Sequence, residues 1–188
     1  SDNDFYLQQK DRTFAAPMTK LKLPGGFSDP NMVYADFNND QAVDICLLSN
    51  RTGGVFTRIF YNDGYGNFTE RNVGIIEKGT RGGMAYADVN NDGWLDIVVG
   101  GVYYGEQWNS TMDNGGKVVT LYLNDQKGSF VKQQEFAEYM FDNVTQPVRF
   151  CDWNNDGHTD LILSGWNMSQ GNISQTDVYL NDGTGFFE

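Results

Sequence analysis

The residues with the clearest chemical potential are aspartates and asparagines at alternate positions. In DVNNDGWLD, Asp88, Asn90 and Asp92 stand at positions 1, 3 and 5, and Asp96 at position 9. Gly93, at position 6, lets the chain curl sharply. Trp94, at position 7, offers its backbone carbonyl. Oxygen donors alternating around a tight turn are how a short loop wraps a hard cation. No His or Cys stands at the side-chain ligand positions, so the donor set points to Ca²⁺ rather than Zn²⁺. Mg²⁺ fits less well, because it dehydrates reluctantly and demands octahedral geometry. A solvated acidic turn is the plain alternative. A glycosidase pair needs two carboxyls facing each other across a cleft, whereas carboxyls in one tight loop would share a cation. A two-metal centre would need bridging ligands from elsewhere, and nothing in the chain marks them.

The same pattern occurs three times. DFNNDQAVD places Asp36, Asn38, Asp40 and Asp44 at the side-chain positions and Ala42 at the carbonyl position. DWNNDGHTD does the same with Asp152, Asn154, Asp156 and Asp160, with His158 at position 7. The copies open at Asp36, Asp88 and Asp152, 52 and then 64 residues apart. His158 is expected to contribute its carbonyl and to turn its ring to solvent, without a catalytic role. Gln41 replaces the glycine of the other copies. If position 6 requires φ > 0, Gln41 is strained there, and the first loop is expected to bind more weakly or to differ in shape. Three bound Ca²⁺ would bring the formal net charge from −12 to −6, which addresses the acidic excess.

Strands must position these loops. Each loop runs into an apolar stretch: DICLLSN, DIVVGG or DLILSG. A hairpin follows each: IFYNDGYGNFTE, LYLNDQKGSFVK and VYLNDGTGFFE. Strand, Asn/Asp/Gly turn and aromatic return are a hairpin signature. FYLQQKDRTFAAP near the start has the same order without a loop before it. In the second unit the expected strands are Gly83–Ala87, Asp96–Tyr103, Lys117–Asn124 and Ser129–Gln134. A long loop from Gly105 to Gly116 and an insertion from Gln134 to Gln146 separate the repeats. Four antiparallel strands recurring about every 50–60 residues suit an all-β propeller. The expected units are a partial blade at 4–18 and blades at 30–78, 82–140 and 147–188, about three and a half in all. Small residues at Ala35, Ala85, Ala87 and Gly82–Gly83 suit strands crowded near an axis. A β-sandwich is the competing fold, but it gives no reason for one loop to recur at the same place.

Composition agrees with short strands and many turns: 22 Gly and 14% aromatics against 4 Pro. The charge of −12 argues against a nucleic-acid surface, which needs Lys and Arg. No apolar run reaches the length of a membrane span. Cys46 and Cys151 lie in or beside apolar strand patterns and read as small core residues.

The loops DFNNDQAVD, DVNNDGWLD and DWNNDGHTD resemble the FG-GAP/VCBS repeats of the integrin-α-type β-propeller. DIVVGG and DLILSG match the strand that follows the loop in that family, while DICLLSN departs from it. The resemblance implies structural Ca²⁺ at the loop positions named above. It also implies a non-enzymatic scaffold that binds an extracellular glycan or protein, at the cell surface, secreted or periplasmic. An accessory domain of a secreted polysaccharide-active enzyme or peptidase is the alternative. The candidate ligand surface is aromatic: Tyr103, Tyr104 and Trp108 in one loop region and Trp166 in another. Aromatic rings beside amide donors suit sugar faces. Six N-x-S/T sequons occur, at Asn50, Asn67, Asn109, Asn143, Asn167 and Asn172. Three blades and a fraction do not close a ring, so either a longer parent chain or self-association is expected to complete it.

Overall fold

Apolar runs without alternation mark strands covered on both faces, and each such run here lies inside a four-stranded antiparallel sheet. The computed structural model describes residues 3–5, 12–13, 19–21, 28–51, 54–75, 80–102, 117–136, 139–140, 148–167 and 173–188. Among these residues there are fourteen strands and no helix. None is therefore a helix long and apolar enough to cross a membrane.

Strand β1 (Asn3–Phe5) pairs with β2 (Thr19–Leu21). β1 overlaps the start of the expected partial unit at 4–18 and β2 lies just past its end; most of that unit lies outside the described residues. The first four-stranded sheet runs in order through β3 (Ser28–Ala35), β4 (Asp44–Arg51), β5 (Gly54–Asn62) and β6 (Phe68–Arg71). The second repeats this order with β7 (Thr80–Ala87), β8 (Asp96–Val102), β9 (Lys117–Asn124) and β10 (Phe130–Phe136). The third holds β11 (Tyr139–Met140), β12 (Val148–Cys151), β13 (Asp160–Asn167) and β14 (Ile173–Tyr179). In this last sheet β11 and β12 both pair with β13, and β14 lies on its other side.

The first strands of the first two sheets are interrupted at the same place. A bulge separates Ser28 from Asn31 in β3 and Thr80 from Gly83 in β7, where the ladder opens locally. In the third sheet Met140 pairs with Trp166 and Val148 with Leu163, so residues 139–140, read as part of the second unit, pair in the third sheet.

The core lies between sheets. Cys46, Leu48, Ile59 and Tyr61 of the first sheet meet Met84, Ile97, Val99, Tyr122 and Phe130 of the second. Val98 and Leu121, on the opposite face of the second sheet, meet Val148, Leu161 and Leu163 of the third. Successive residues of β8 thus serve two different cores, which is why DIVV shows no alternation. First strands lie side by side, β3 against β7 and β7 against β12.

Cys46 is buried in this core, and burial pushes its thiol up to about 12. Cys151 corrects the expectation of a second core thiol. It ends β12 on the outward side of the third sheet and is exposed.

Candidate functional site

Each Asp/Asn loop joins the first strand of its sheet to the second, and the three loops share one hydrogen-bond pattern. The position-1 carboxylate accepts two backbone N–H groups. In the second loop, Asp88 accepts from Asp92 at 3.0 Å and from Gly93 at 2.9 Å. Asp36 and Asp152 repeat both contacts. The position-3 amide bridges to position 5: Asn90 Nδ2 donates to Asp92 Oδ2, while its Oδ1 accepts from the Asp92 N–H. Asn38 with Asp40, and Asn154 with Asp156, match it. The position-5 carboxylate then accepts the N–H of position 7, at Ala42, Trp94 and His158.

Position 9 behaves differently. Asp44, Asp96 and Asp160 open the second strand and are fully buried. One carboxylate oxygen accepts the N–H of position 2, at Phe37, Val89 or Trp153. The other accepts the N–H of an asparagine: Asn62 or Asn124, which end β5 and β9, or Asn181, two residues past β14. The carboxylate therefore ties loop, second strand and hairpin together. Burial drives Asp96 up from 3.8 to about 6, and the nearby Asp92 and Asp88 charges push the same way. Two backbone N–H donors oppose the rise. Asp44 is also raised, chiefly by burial, with Asp40 and Asp36 adding to it.

The donors are all oxygens, which suits a hard cation. In this arrangement the position-3 amide points a donor at position 5, and the carboxylates are engaged by loop N–H groups. Among the described residues no three His, Cys, Asp or Glu side chains are gathered as they would be around one ion. The chemistry of the donors fits Ca²⁺. Holding it would require the position-3 amide to turn its Oδ1 inward.

Gln41 keeps the shape of the sister loops. Its φ is 71°, against 85° for Gly93 and 89° for Gly157. A Cβ at Gly93 or Gly157 would meet nothing within 4 Å, so a side chain has room and only backbone strain opposes it. His158 departs from expectation. Its ring does not simply face solvent: it lies over Gly183, where an added Cβ would come within 2.5–2.8 Å of it, and its Nδ1 is buried without a partner.

The residues that sequence reasoning missed are the hairpin asparagines. Asn181 Nδ2 donates to Thr159 O at 3.0 Å in its own unit and to Val89 O at 2.8 Å in the preceding loop. Asn124 likewise donates to Leu95 O and to Phe37 O of the preceding loop. Each side-chain Oδ1 caps the following turn by accepting from Gly183 and Gly185, or from Gln126. The visible signal was an Asn before Asp in all three hairpins; its reach to the neighbouring sheet was not visible.

The proposed ligand surface falls largely outside the described residues: Tyr103, Tyr104 and Trp108 all do. Trp166 lies on β13 opposite Ser174. Of the sequons, Asn67 is exposed, and its amide donates to Asp63 at 2.7 Å.

Residues 36–99 match the family described as FG-GAP-like repeat. This stretch runs from the first residue of the first loop to the middle of β8, so it spans the first loop, the rest of its sheet and the second loop. No curated protein matches the chain.

Proposed function

We propose that this chain is a non-enzymatic, Ca²⁺-stabilised scaffold of propeller blades that recognises an extracellular glycan or protein. One observation carries the reading: an Asp/Asn loop that recurs three times with the same oxygen-bearing side chains and the same hydrogen-bond pattern. A divalent cation suits such an all-oxygen donor set. The loop side chains of Asp88, Asn90, Asp92 and Asp96 with the Trp94 carbonyl would hold it, as would Asp152, Asn154, Asp156 and Asp160 with the His158 carbonyl. The first loop, Asp36, Asn38, Asp40 and Asp44 with the Ala42 carbonyl, keeps the same turn through Gln41 and is the third site. The FG-GAP-like match over 36–99 supports a repeat-built scaffold. Millimolar Ca²⁺ outside cells suits exposed loops of modest affinity. Tyr103, Tyr104, Trp108 and Trp166 remain the candidate ligand-binding residues.

Calorimetric titration with Ca²⁺, run beside thermal melting, tests the metal. At a hundredfold excess over Kd each occupied site adds about 2.7 kcal/mol of stability, so the melting temperature rises clearly. Neither heat nor a shift at about ten millimolar Ca²⁺, above the affinities of extracellular modules, would overturn it. A glycan array in Ca²⁺ and in chelator tests the ligand. Turnover of a polysaccharide by the isolated chain would refute the non-enzymatic reading.

A further inference from the structure

The three hairpin turns open alike, with Asn62-Asp63, Asn124-Asp125 and Asn181-Asp182, but their third residues differ: Gly64, Gln126 and Gly183. All three stand in left-handed backbone, at φ 79°, 61° and 87°. Glycine adopts that conformation freely and glutamine does not. Gln126 therefore carries a backbone cost that its two counterparts avoid.

The Gln126 side chain reaches the Asp/Asn loop of its own sheet. Its Nε2 donates to Asp92 Oδ2 at 3.1 Å. The same oxygen accepts Asn90 Nδ2 at 3.1 Å, and Asp92 Oδ1 accepts the Trp94 N–H at 2.9 Å. The sister carboxylates have no such visitor. Among the described residues, the side-chain amide on Asp40 Oδ2 is Asn38 alone, and on Asp156 Oδ2 it is Asn154 alone. Beside the third loop the place is filled, because the His158 ring lies over Gly183. Beside the first it is open: a Cβ on Gly64 would meet nothing within 4 Å.

We propose that Gln126 is a positioning residue for the cation of the second loop, holding the Asp92 carboxylate in place for the ion. This rests on the Ca²⁺ reading above. For position 3 to offer its Oδ1, its amide must stop donating to position 5. In the first and third loops that leaves the position-5 Oδ2 without a side-chain donor. In the second loop Gln126 keeps its hold. A hydrogen-bond donor on a ligating carboxylate fixes its orientation, and losing such a partner costs about 10- to 100-fold in metal affinity. Gln126 thus sets the second loop apart from its sisters, although the three loops themselves carry the same oxygen ligands.

Calorimetric titration of the whole chain with Ca²⁺ tests this, in an Asp40→Asn, Asp156→Asn background that weakens the other two loops. Adding Gln126→Gly should weaken the remaining site about 10-fold. In chelator the same change should not lower the melting temperature, because Gln126 is exposed and glycine relieves its backbone. A residue that served only the fold would behave the other way round. The converse graft, Gly64→Gln in an Asp92→Asn, Asp156→Asn background, should tighten the first loop by up to about 10-fold. If either background fails to fold, the otherwise native chain gives the same reading: Gln126→Gly should shrink the rise in melting temperature that Ca²⁺ brings. Absence of Ca²⁺ binding by the native chain at about ten millimolar would overturn the Ca²⁺ reading itself. Binding that is present but unmoved by Gln126→Gly overturns this proposal alone. So does weaker binding accompanied by a lower melting temperature in chelator, which would make Gln126 a residue of the fold.

Discussion

Val89 and Trp153 hold the same place in two copies of one loop, yet one is fully buried and the other 63% exposed. Their loops are otherwise alike: the same backbone N–H to the buried position-9 carboxylate, the same capped turn, the same left-handed position 6. What separates them is a neighbour. The third sheet covers Val89 and offers Asn181 to its carbonyl, while among the described residues nothing takes that place for Trp153. The loop is thus a local unit that folds by its own hydrogen bonds, and its burial is a property of the stack.

Removing the lock gives the largest way to break this comparison. Asn181→Ala leaves Val89 O, Thr159 O and two turn N–H groups without their partner in a buried site, which costs about 2–4 kcal/mol. Asn62→Ala, at the half-buried end position, should cost about 1 kcal/mol; chemical denaturation of both variants checks the gap. Equal losses would mean that the cross-sheet bond adds nothing.

Next comes the packed residue itself. Val89→Ala should destabilise by about 2 kcal/mol through lost burial and a residual cavity. Trp153→Ala should change monomer stability by no more than about 0.5 kcal/mol, as ordinary surface changes do.

The comparison sharpens at position 6. Gly93→Gln should cost about 1 kcal/mol and Gln41→Gly should return about as much, because the left-handed backbone penalises a side chain even where space is open. Thermal melting of the two single variants reads both signs.

The smallest effect is on pH dependence. Asp96 is raised to about 6 in the folded chain from an ordinary 3.8, chiefly by burial. Its contribution to stability is therefore full below about pH 4 and is lost as pH rises through 6. Asp44 shifts in the same direction. Without Ca²⁺, acidifying from pH 7 to 5 should stabilise the chain by an amount on the order of 1 kcal/mol. With Ca²⁺ bound the sign should reverse, because protons compete for the same oxygens. Asp63, Asp125 and Asp182 are lowered by hydrogen bonds, so their contribution is lost only on going below the ordinary carboxylate range.

Much of the fold was legible in advance because its signals are local. A strand that follows an Asp/Asn loop, and a hairpin that follows an NDG-type turn, are set by neighbours in sequence. The expected strands of the second unit lie within a few residues of β7 to β10. Position 6 was legible too, since only one backbone conformation closes that turn, and Gln41 adopts it. Cys151 and His158 were not. Cys46 and Cys151 follow similar patterns, but only one faces another sheet. The His158 ring rests on Gly183, twenty-five residues later in the chain.

By itself the sequence determined the repeat, the all-β class and the oxygen-rich loops, because spacing and turn chemistry act over a few residues. Tertiary structure decided that the position-9 aspartates are buried clamps and that the hairpin asparagines join one sheet to the next loop. It also decided that Val89 is buried while Trp153, at the same loop position, is exposed. The clamps draw on hairpin N–H groups 18 to 28 residues away, and the asparagine joints on partners about ninety residues away, such as Asn181 and Val89; no local pattern carries those distances.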